Sequence, residues 1–72
     1  MKTLVLGDIT AEGYNVVGKC ESVPEVIGRL AQRDIKVVLV SNEVLKEYNE
    51  HELEMLTDTF RRYGARLECE EQ

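Results

Sequence analysis

Four short segments of the chain have the apolar patterns of β-strands. Residues 3–6 and 35–40 are nearly continuous apolar runs, and the second is rich in β-branched residues. Runs of this kind are typical of strands that are buried on both faces of a parallel sheet. Residues 19–23 and 65–70 alternate instead between apolar and polar positions, which is typical of half-buried edge strands. The pattern therefore predicts two central and two edge strands.

A helix is predicted between the second and third strands. Ser22 and Glu25 have the spacing of a capping box, in which each side chain accepts a backbone hydrogen bond at the helix start. Pro24 suits the first turn. The apolar residues that follow, at 26, 27, 30 and 31, lie on one helical face. We therefore expect this helix to begin at residue 22 or 23.

Two further helical segments are predicted. Residues 43–63 have a helical apolar stripe, and Asn49 with Glu52 repeats the capping-box spacing. We therefore expect either a break near residue 49 or two successive helices. Residues 10–18 are consistent with a short helix between the first two strands, with Gly18 at its end.

The predicted order β-α-β-α-β-α-β indicates one compact α/β domain over residues 1–72. Right-handed crossovers give a small Rossmann-like, three-layer domain with a four-stranded, mostly parallel sheet of order 2-1-3-4. With helices on both faces, Val38 and Val40 would pack against one layer, and Val37 and Leu39 against the other. Cys20 and Cys69 fall on opposite edges, so we expect both to be unpaired.

Charge narrows the classes of partner. The formal net charge is −5, and charged residues make up 32% of the chain. This charge disfavours nucleic acid and anionic membrane surfaces as partners, while a basic protein remains compatible with it. The same acidity would also keep a small protein soluble. No stretch approaches a membrane-spanning length, and residues 1–6 do not form a signal peptide. We therefore expect a cytoplasmic protein, at most peripheral to a membrane through a protein complex.

The sequence contains no recognisable catalytic or metal-binding motif. It has no CxxC pair, a single histidine at His51, and no phosphate-binding glycine-rich loop. Neither cysteine has the cationic surroundings of an activated nucleophile, apart from Lys19 beside Cys20. We therefore predict no catalytic residue, no cofactor and no metal, and we expect a protein that is not an enzyme.

Two sets of residues remain candidates for binding. In the order 2-1-3-4, Asp8 after the first strand and Asn42 and Glu43 after the third would meet at the carboxyl edge of the sheet, where α/β folds bind ligands. Helix and turn capping also explains these residue types. The second set is the outward face of residues 43–63, which could meet a basic coiled coil or helical stalk, or merely solvate the helix. It carries Glu47, Glu50, Glu54 and Asp58.

Several motifs within residues 1–48 occur in an order that is known from one family. They are Gly7-Asp8 after the first strand, Gly13-Tyr14, Gly18, Pro24-Glu25 at a helix start, the strand over residues 34–40 and the helix entry over residues 41–44. Together they resemble the F subunit of V-type and archaeal A-type rotary ATPases, a family with a compact Rossmann-like domain. That family has a proline-containing strand near its end, where this chain has residues 66–69. It also has a C-terminal helical tail, whereas this sequence ends at Gln72.

The resemblance implies a non-catalytic central-stalk subunit. It would couple ATP turnover to ion transport through contacts with other rotary ATPase subunits. Two other functions remain open. One is a stand-alone receiver-like or flavodoxin-like domain that binds a small ligand near Asp8 and Asn42, although Ser41 stands where a receiver's phospho-accepting Asp would be. The other is a homodimer that pairs through an exposed edge strand.

Overall fold

Residues 1–70 are described by a computed structural model, and they form one four-stranded sheet with three helices. The strands are β1 (Lys2–Leu6), β2 (Asn15–Cys20), β3 (Val37–Val40) and β4 (Arg66–Cys69). The helices are α1 (Val23–Gln32), the single turn α2 (Asn42–Leu45) and α3 (Glu50–Arg62). The predicted break near residue 49 is confirmed, because α2 and α3 are separate helices.

The sheet has the predicted order β2-β1-β3-β4, and every neighbouring pair of strands is parallel. The predicted α/β fold is therefore confirmed. β1 and β3 occupy the centre, and every residue of β3 is buried. The edge strands are more exposed. A bulge in β2 opposite Thr3 and Leu4 interrupts its register with β1.

One face of the sheet, the helix-covered face, carries the main core. Leu4, Leu6, Val38 and Val40 point to this side and are 1% exposed or less. Both longer helices pack on it, through residues that include Val26, Leu30 and Phe60. The crossovers β2–α1–β3 and β3–α3–β4 run in the same direction across the sheet, so two right-handed connections place both helices on one side.

The opposite side, the loop-covered face, is formed by Thr3, Val5, Val37 and Leu39. Its small apolar cluster joins Val5 and Leu39 to Ile9, with Ala11 packed against them. The helix predicted over residues 10–18 is wrong: residues 7–14 form a loop, and β2 begins at Asn15. The second strand, predicted over residues 19–23, accordingly lies earlier in the chain.

The local sequence explains this correction. Gly13 has a positive φ of 83°, which turns the chain just before β2 and is incompatible with a continuing right-handed helix. The two β-branched residues that follow, Val16 and Val17, favour an extended backbone. Pairing with β1 then supplies the backbone hydrogen bonds that a short isolated helix would have had to supply alone.

Caps fix where the helices begin. Asn49 and Glu52 form the complete capping box that begins α3. At α1 the Ser22 hydroxyl accepts from the Glu25 amide at 3.4 Å, as predicted. The Glu25 carboxylate, however, accepts from the amide of Glu21 and not from that of Ser22. The start of α1 is therefore capped by a variant of the predicted box.

The cysteine prediction is confirmed, because Cys20 on β2 and Cys69 on β4 are both unpaired. The packing prediction for β3 is half confirmed. Val38 and Val40 do pack against helices. Leu39, in contrast, packs against the loop residues Ile9 and Ala11, because no helix within residues 1–70 lies on this face.

Candidate functional site

The surface of α3 contains an open groove of about 450 Å³. It is lined by residues one turn apart on the same helix: Glu50, Leu53, Glu54, Thr57, Asp58 and Arg61. Three of the four carboxylates predicted to bind a partner, Glu50, Glu54 and Asp58, are therefore brought to one stripe. Glu47 precedes α3 and is exposed, and it is not part of the groove lining.

The groove has an apolar floor between its acidic walls. Leu53 is half-buried and lies outside the main core. Leu56, by contrast, packs against the main core, and Phe60 is part of that core. Arg61 approaches Asp58 at 3.9 Å, but both side chains are about two-thirds or more exposed. An exposed pair at this distance contributes little energy and leaves the acidic character of the stripe largely intact. The groove could therefore accept a partner with both apolar and basic side chains.

The carboxyl edge of the sheet is arranged differently from a ligand crevice. Asp8 is almost fully exposed and pairs with Lys19 at 3.3 Å. The backbone N–H of Asn42 donates to the Glu70 carboxylate at 3.0 Å, and Glu43 is exposed. The three predicted residues therefore do not form one site. Among the described hydrogen bonds and ion pairs, none joins Asp8 to Asn42 or Glu43.

Close packing fills the point where β1 and β3 end. Ser41 is 3% exposed, and its hydroxyl accepts from the amide of Val44 at 3.2 Å. Gly7 lies so close that a Cβ there would overlap the Ser41 side chain. The junction between the ends of β1 and β3, where many α/β proteins bind ligands, is therefore filled by the protein's own side chains. Asp8 instead lines a separate cavity with Lys19 and Cys20.

A polar network on the loop-covered face was not predicted. The Tyr14 hydroxyl donates to Glu68 Oε1 at 2.8 Å, and Arg66 Nε donates to Glu68 Oε2 at 2.6 Å. These two hydrogen bonds, with the Tyr14 bond the stronger influence, hold the pKa of the Glu68 carboxyl below its usual range. No local pattern could have predicted this contact, because Tyr14 and Glu68 are far apart in the chain and meet only through the fold.

Cys20 lies in a different environment from the exposed Cys69. It is 1% exposed and borders a cavity of about 550 Å³ that is also lined by Asp8, Lys19 and Glu25. Burial raises the pKa of the Cys20 thiol, and the nearby Glu25 carboxylate raises it further, against an opposing effect of Arg29. A thiol held protonated in this way is a poor nucleophile.

Residues 1–70 contain no group of three or more His, Cys, Asp or Glu side chains placed to hold a metal ion. Within the same residues, no helix has the length and apolar character needed to cross a membrane. No protein-family model, curated protein or solved structure matches the chain. The resemblance to rotary ATPase F subunits therefore rests on the sequence motifs alone.

Proposed function

We propose that this chain is a non-catalytic subunit of a larger protein assembly, of the central-stalk kind found in V-type and A-type rotary ATPases. It would bind a basic helical partner along α3 and couple ATP turnover to ion transport through protein contacts. The observation that carries the proposal is the acidic groove on α3, in which Glu50, Glu54 and Asp58 surround the half-buried Leu53.

The chemistry of the groove suits a helix better than a small molecule. Its lining comes entirely from one helix, so it is a long shallow stripe and not a closed pocket. Apolar and charged residues at i, i+3 and i+4 spacing are what a second amphipathic helix contacts. The carboxylates would steer a basic partner and set its orientation, while Leu53 would supply the apolar contact.

The family resemblance supports the same choice of partner, since a central stalk is built from helices. The motifs that carry this resemblance lie in residues 1–48, whereas the groove lies in residues 50–61. The two arguments are therefore independent. The overall charge of −5 agrees with a basic partner as well.

The test is affinity capture with the tagged chain from cells of its source organism, followed by mass spectrometry of the bound proteins. We expect rotary ATPase subunits to be recovered at low salt. They should be lost at about 1 M salt, where charges are screened beyond about 3 Å. The double variant Glu50→Lys/Glu54→Lys should reduce recovery by about tenfold or more at low salt.

The matched control is Asp8→Lys/Glu43→Lys, which reverses the same amount of charge at exposed positions away from the groove. We expect this control to capture the partner as the wild type does. Loss of capture in the control but not in the α3 variant would move the site to the sheet edge. Tight nucleotide binding by calorimetry, with no rotary ATPase subunit recovered, would contradict the proposal.

A further inference from the structure

We infer that two copies of this chain pair through the free edge of β4, in an antiparallel arrangement centred on Leu67, so that their two sheets join side by side. Among the described residues, β4 has a neighbouring strand, β3, on one side only. The pairing goes beyond the proposed function, because it concerns the association of the chain with itself.

The backbone of β4 presents unpaired groups along this edge. The N–H groups of Arg66 and Glu70 donate to carbonyls of the β3 segment, both at 3.0 Å. Backbone direction alternates along a strand, so the N–H and C=O groups of Leu67 and Cys69 point away from β3. The Ala65 carbonyl points the same way, because the C=O and the N–H of one trans peptide point in opposite directions.

The two edges of the sheet differ in their protection against such pairing. β2 has a bulge opposite Thr3 and Leu4, and its Lys19 is exposed. Bulges and lysines are common means by which natural edge strands avoid pairing with other chains. β4 keeps a regular register with β3 throughout residues 66–69, which contain neither proline nor lysine. The edge of β4 is therefore better suited to accept another strand.

A two-fold axis perpendicular to the sheet, at Leu67, satisfies the outward backbone groups. Leu67 of each copy would exchange two hydrogen bonds with Leu67 of its mate, and the Cys69 N–H would donate to the mate's Ala65 carbonyl. The N–H of Ala65 already donates to the Phe60 carbonyl at 3.0 Å and needs no further acceptor. The half-buried Leu67 side chains, which pack against the main core, would meet at the axis.

Charge makes this edge complementary to itself in the same register. Arg66 and Glu68 lie on the loop-covered face, and the axis sets Arg66 of each copy directly opposite Glu68 of the other. Within one chain Arg66 donates to Glu68 through Nε, at 2.6 Å, and its guanidinium has four further N–H donors. Each Arg66 can therefore bind both carboxylates. An axis at residue 68 would give as many backbone hydrogen bonds but would set Glu68 opposite Glu68, which disfavours it.

The contact is small, so the dimer is reversible. A strand pair over residues 65–69 buries less than the roughly 800 Å² per partner that is typical of stable complexes. α3 packs against β4, so it would lie beside α3 of the mate on the joined sheet. A helical partner on α3 would therefore compete with the second copy.

The test is sedimentation equilibrium of the full chain in a reducing buffer, from about 5 to about 500 µM, the range in which a weak dimer forms. We expect the mass to rise from that of one chain towards that of two. Cys69→Pro removes an outward N–H, at a position where an edge strand tolerates proline, and should raise the dimer dissociation constant by about tenfold or more. Circular dichroism would establish that each variant is folded.

Cys69→Ser is the matched control, because it removes the exposed thiol but keeps the backbone N–H. Its dissociation constant should lie within about twofold of the wild type. A wild type that stays monomeric throughout the range would overturn the inference. Loss of the dimer in Cys69→Ser, or an unaffected dimer in Cys69→Pro, would overturn it as well.

A charge exchange tests the register. Arg66→Glu and Glu68→Arg should each weaken the dimer by about fivefold, since each puts like charges opposite each other. The double variant restores opposite charges and should return to within about twofold of the wild type. A double variant as weak as either single one would contradict the axis at Leu67, because an axis at residue 68 leaves like charges opposed. Since the readout is the mass of the purified chain, failure here is distinguishable from failure of α3 to capture a partner.

Discussion

The two faces of the sheet have the same strands but very different covers. Leu4, Leu6, Val38 and Val40 lie under two helices, whereas Val5 and Leu39 lie under a loop that contributes Ile9 and Ala11. The difference follows from the length of one connection. A crossover that contains a helix needs about ten to twelve residues or more, and only residues 7–14 join β1 to β2. Because this connection is short, the domain has helices on one face of the sheet and only a loop on the other, instead of the helix layers on both faces that were predicted.

The largest effect is expected on the helix-covered face. Phe60 is fully buried and joins α3 to the main core. Phe60→Ala should lower the free energy of unfolding by about 3–5 kcal/mol, because it removes a large apolar side chain and leaves a cavity between packed elements. For a domain of this size that loss is a large part of the total stability. Urea denaturation would measure it. A loss below about 1 kcal/mol would show that α3 is only loosely attached.

A matched pair of leucines compares the two faces directly. Leu4 on β1 and Leu39 on β3 are central and almost fully buried, but they point to opposite sides. Leu4→Ala should cost about 3–4 kcal/mol, and Leu39→Ala about 2–3 kcal/mol, within the known range for such truncations. The loop can move into the space left by Leu39, whereas two packed helices cannot close around Leu4.

Urea unfolding of both variants under identical conditions gives the comparison. Equal costs would mean that the loop packs as rigidly as the helices, and a larger cost at Leu39 would reverse the interpretation of the two faces. A Leu39→Ala variant that melted like the wild type would place β3 outside the centre of the sheet, against its observed burial.

The difference between the faces also explains what could be predicted from sequence. The apolar run over residues 35–40 predicted a buried central strand, and the spacing of Asn49 and Glu52 predicted a capping box; β3 and the start of α3 confirm both. Residues 10–18 were compatible with both a helix and an extended segment. Pairing with β1 determined which of the two formed, and local sequence does not encode that pairing. The acidic stripe on α3 was foreseeable from helical spacing. Its groove around Leu53 and the Tyr14–Glu68 contact depend on tertiary packing that local patterns do not encode.

The turn that leads the chain onto the loop-covered face depends on Gly7. Its φ of 105° is rarely adopted by other residues, and a Cβ at this position would overlap the Ser41 side chain. Gly7→Ala should therefore destabilise the protein by about 2–3 kcal/mol, from backbone strain and steric overlap together.

Gly13→Ala is the matched control for this turn. Gly13 also has a positive φ, but its added Cβ would meet no atom within 4 Å. It should cost about 1 kcal/mol, which is the backbone contribution alone. Thermal or urea unfolding of both variants would separate the two contributions. A similar loss in both would indicate that Ser41 moves aside easily.

The smallest effect concerns the polar contact that crosses the loop-covered face. Tyr14→Phe keeps the ring but removes the hydroxyl that donates to Glu68. Because this hydrogen bond lowers the pKa of Glu68, it stabilises the folded state above the ordinary glutamate pKa of about 4.3. That contribution is lost as the pH falls through the lower pKa of the folded protein. Since the contact is at the surface, we expect a loss of less than about 1 kcal/mol at pH 7.

The pH dependence distinguishes this contact from a general packing effect. Urea unfolding of the wild type and Tyr14→Phe at pH 7 and near pH 3 should show a difference that shrinks at the lower pH, where Glu68 is increasingly protonated. Tyr63→Phe is the control, because Tyr63 lies at the end of α3 on the other side of the sheet. Its difference from the wild type should not change with pH in this range. A Tyr14→Phe difference that stayed constant between the two pH values would mean that the ring of Tyr14, and not its bond to the Glu68 carboxylate, secures the loop to the sheet.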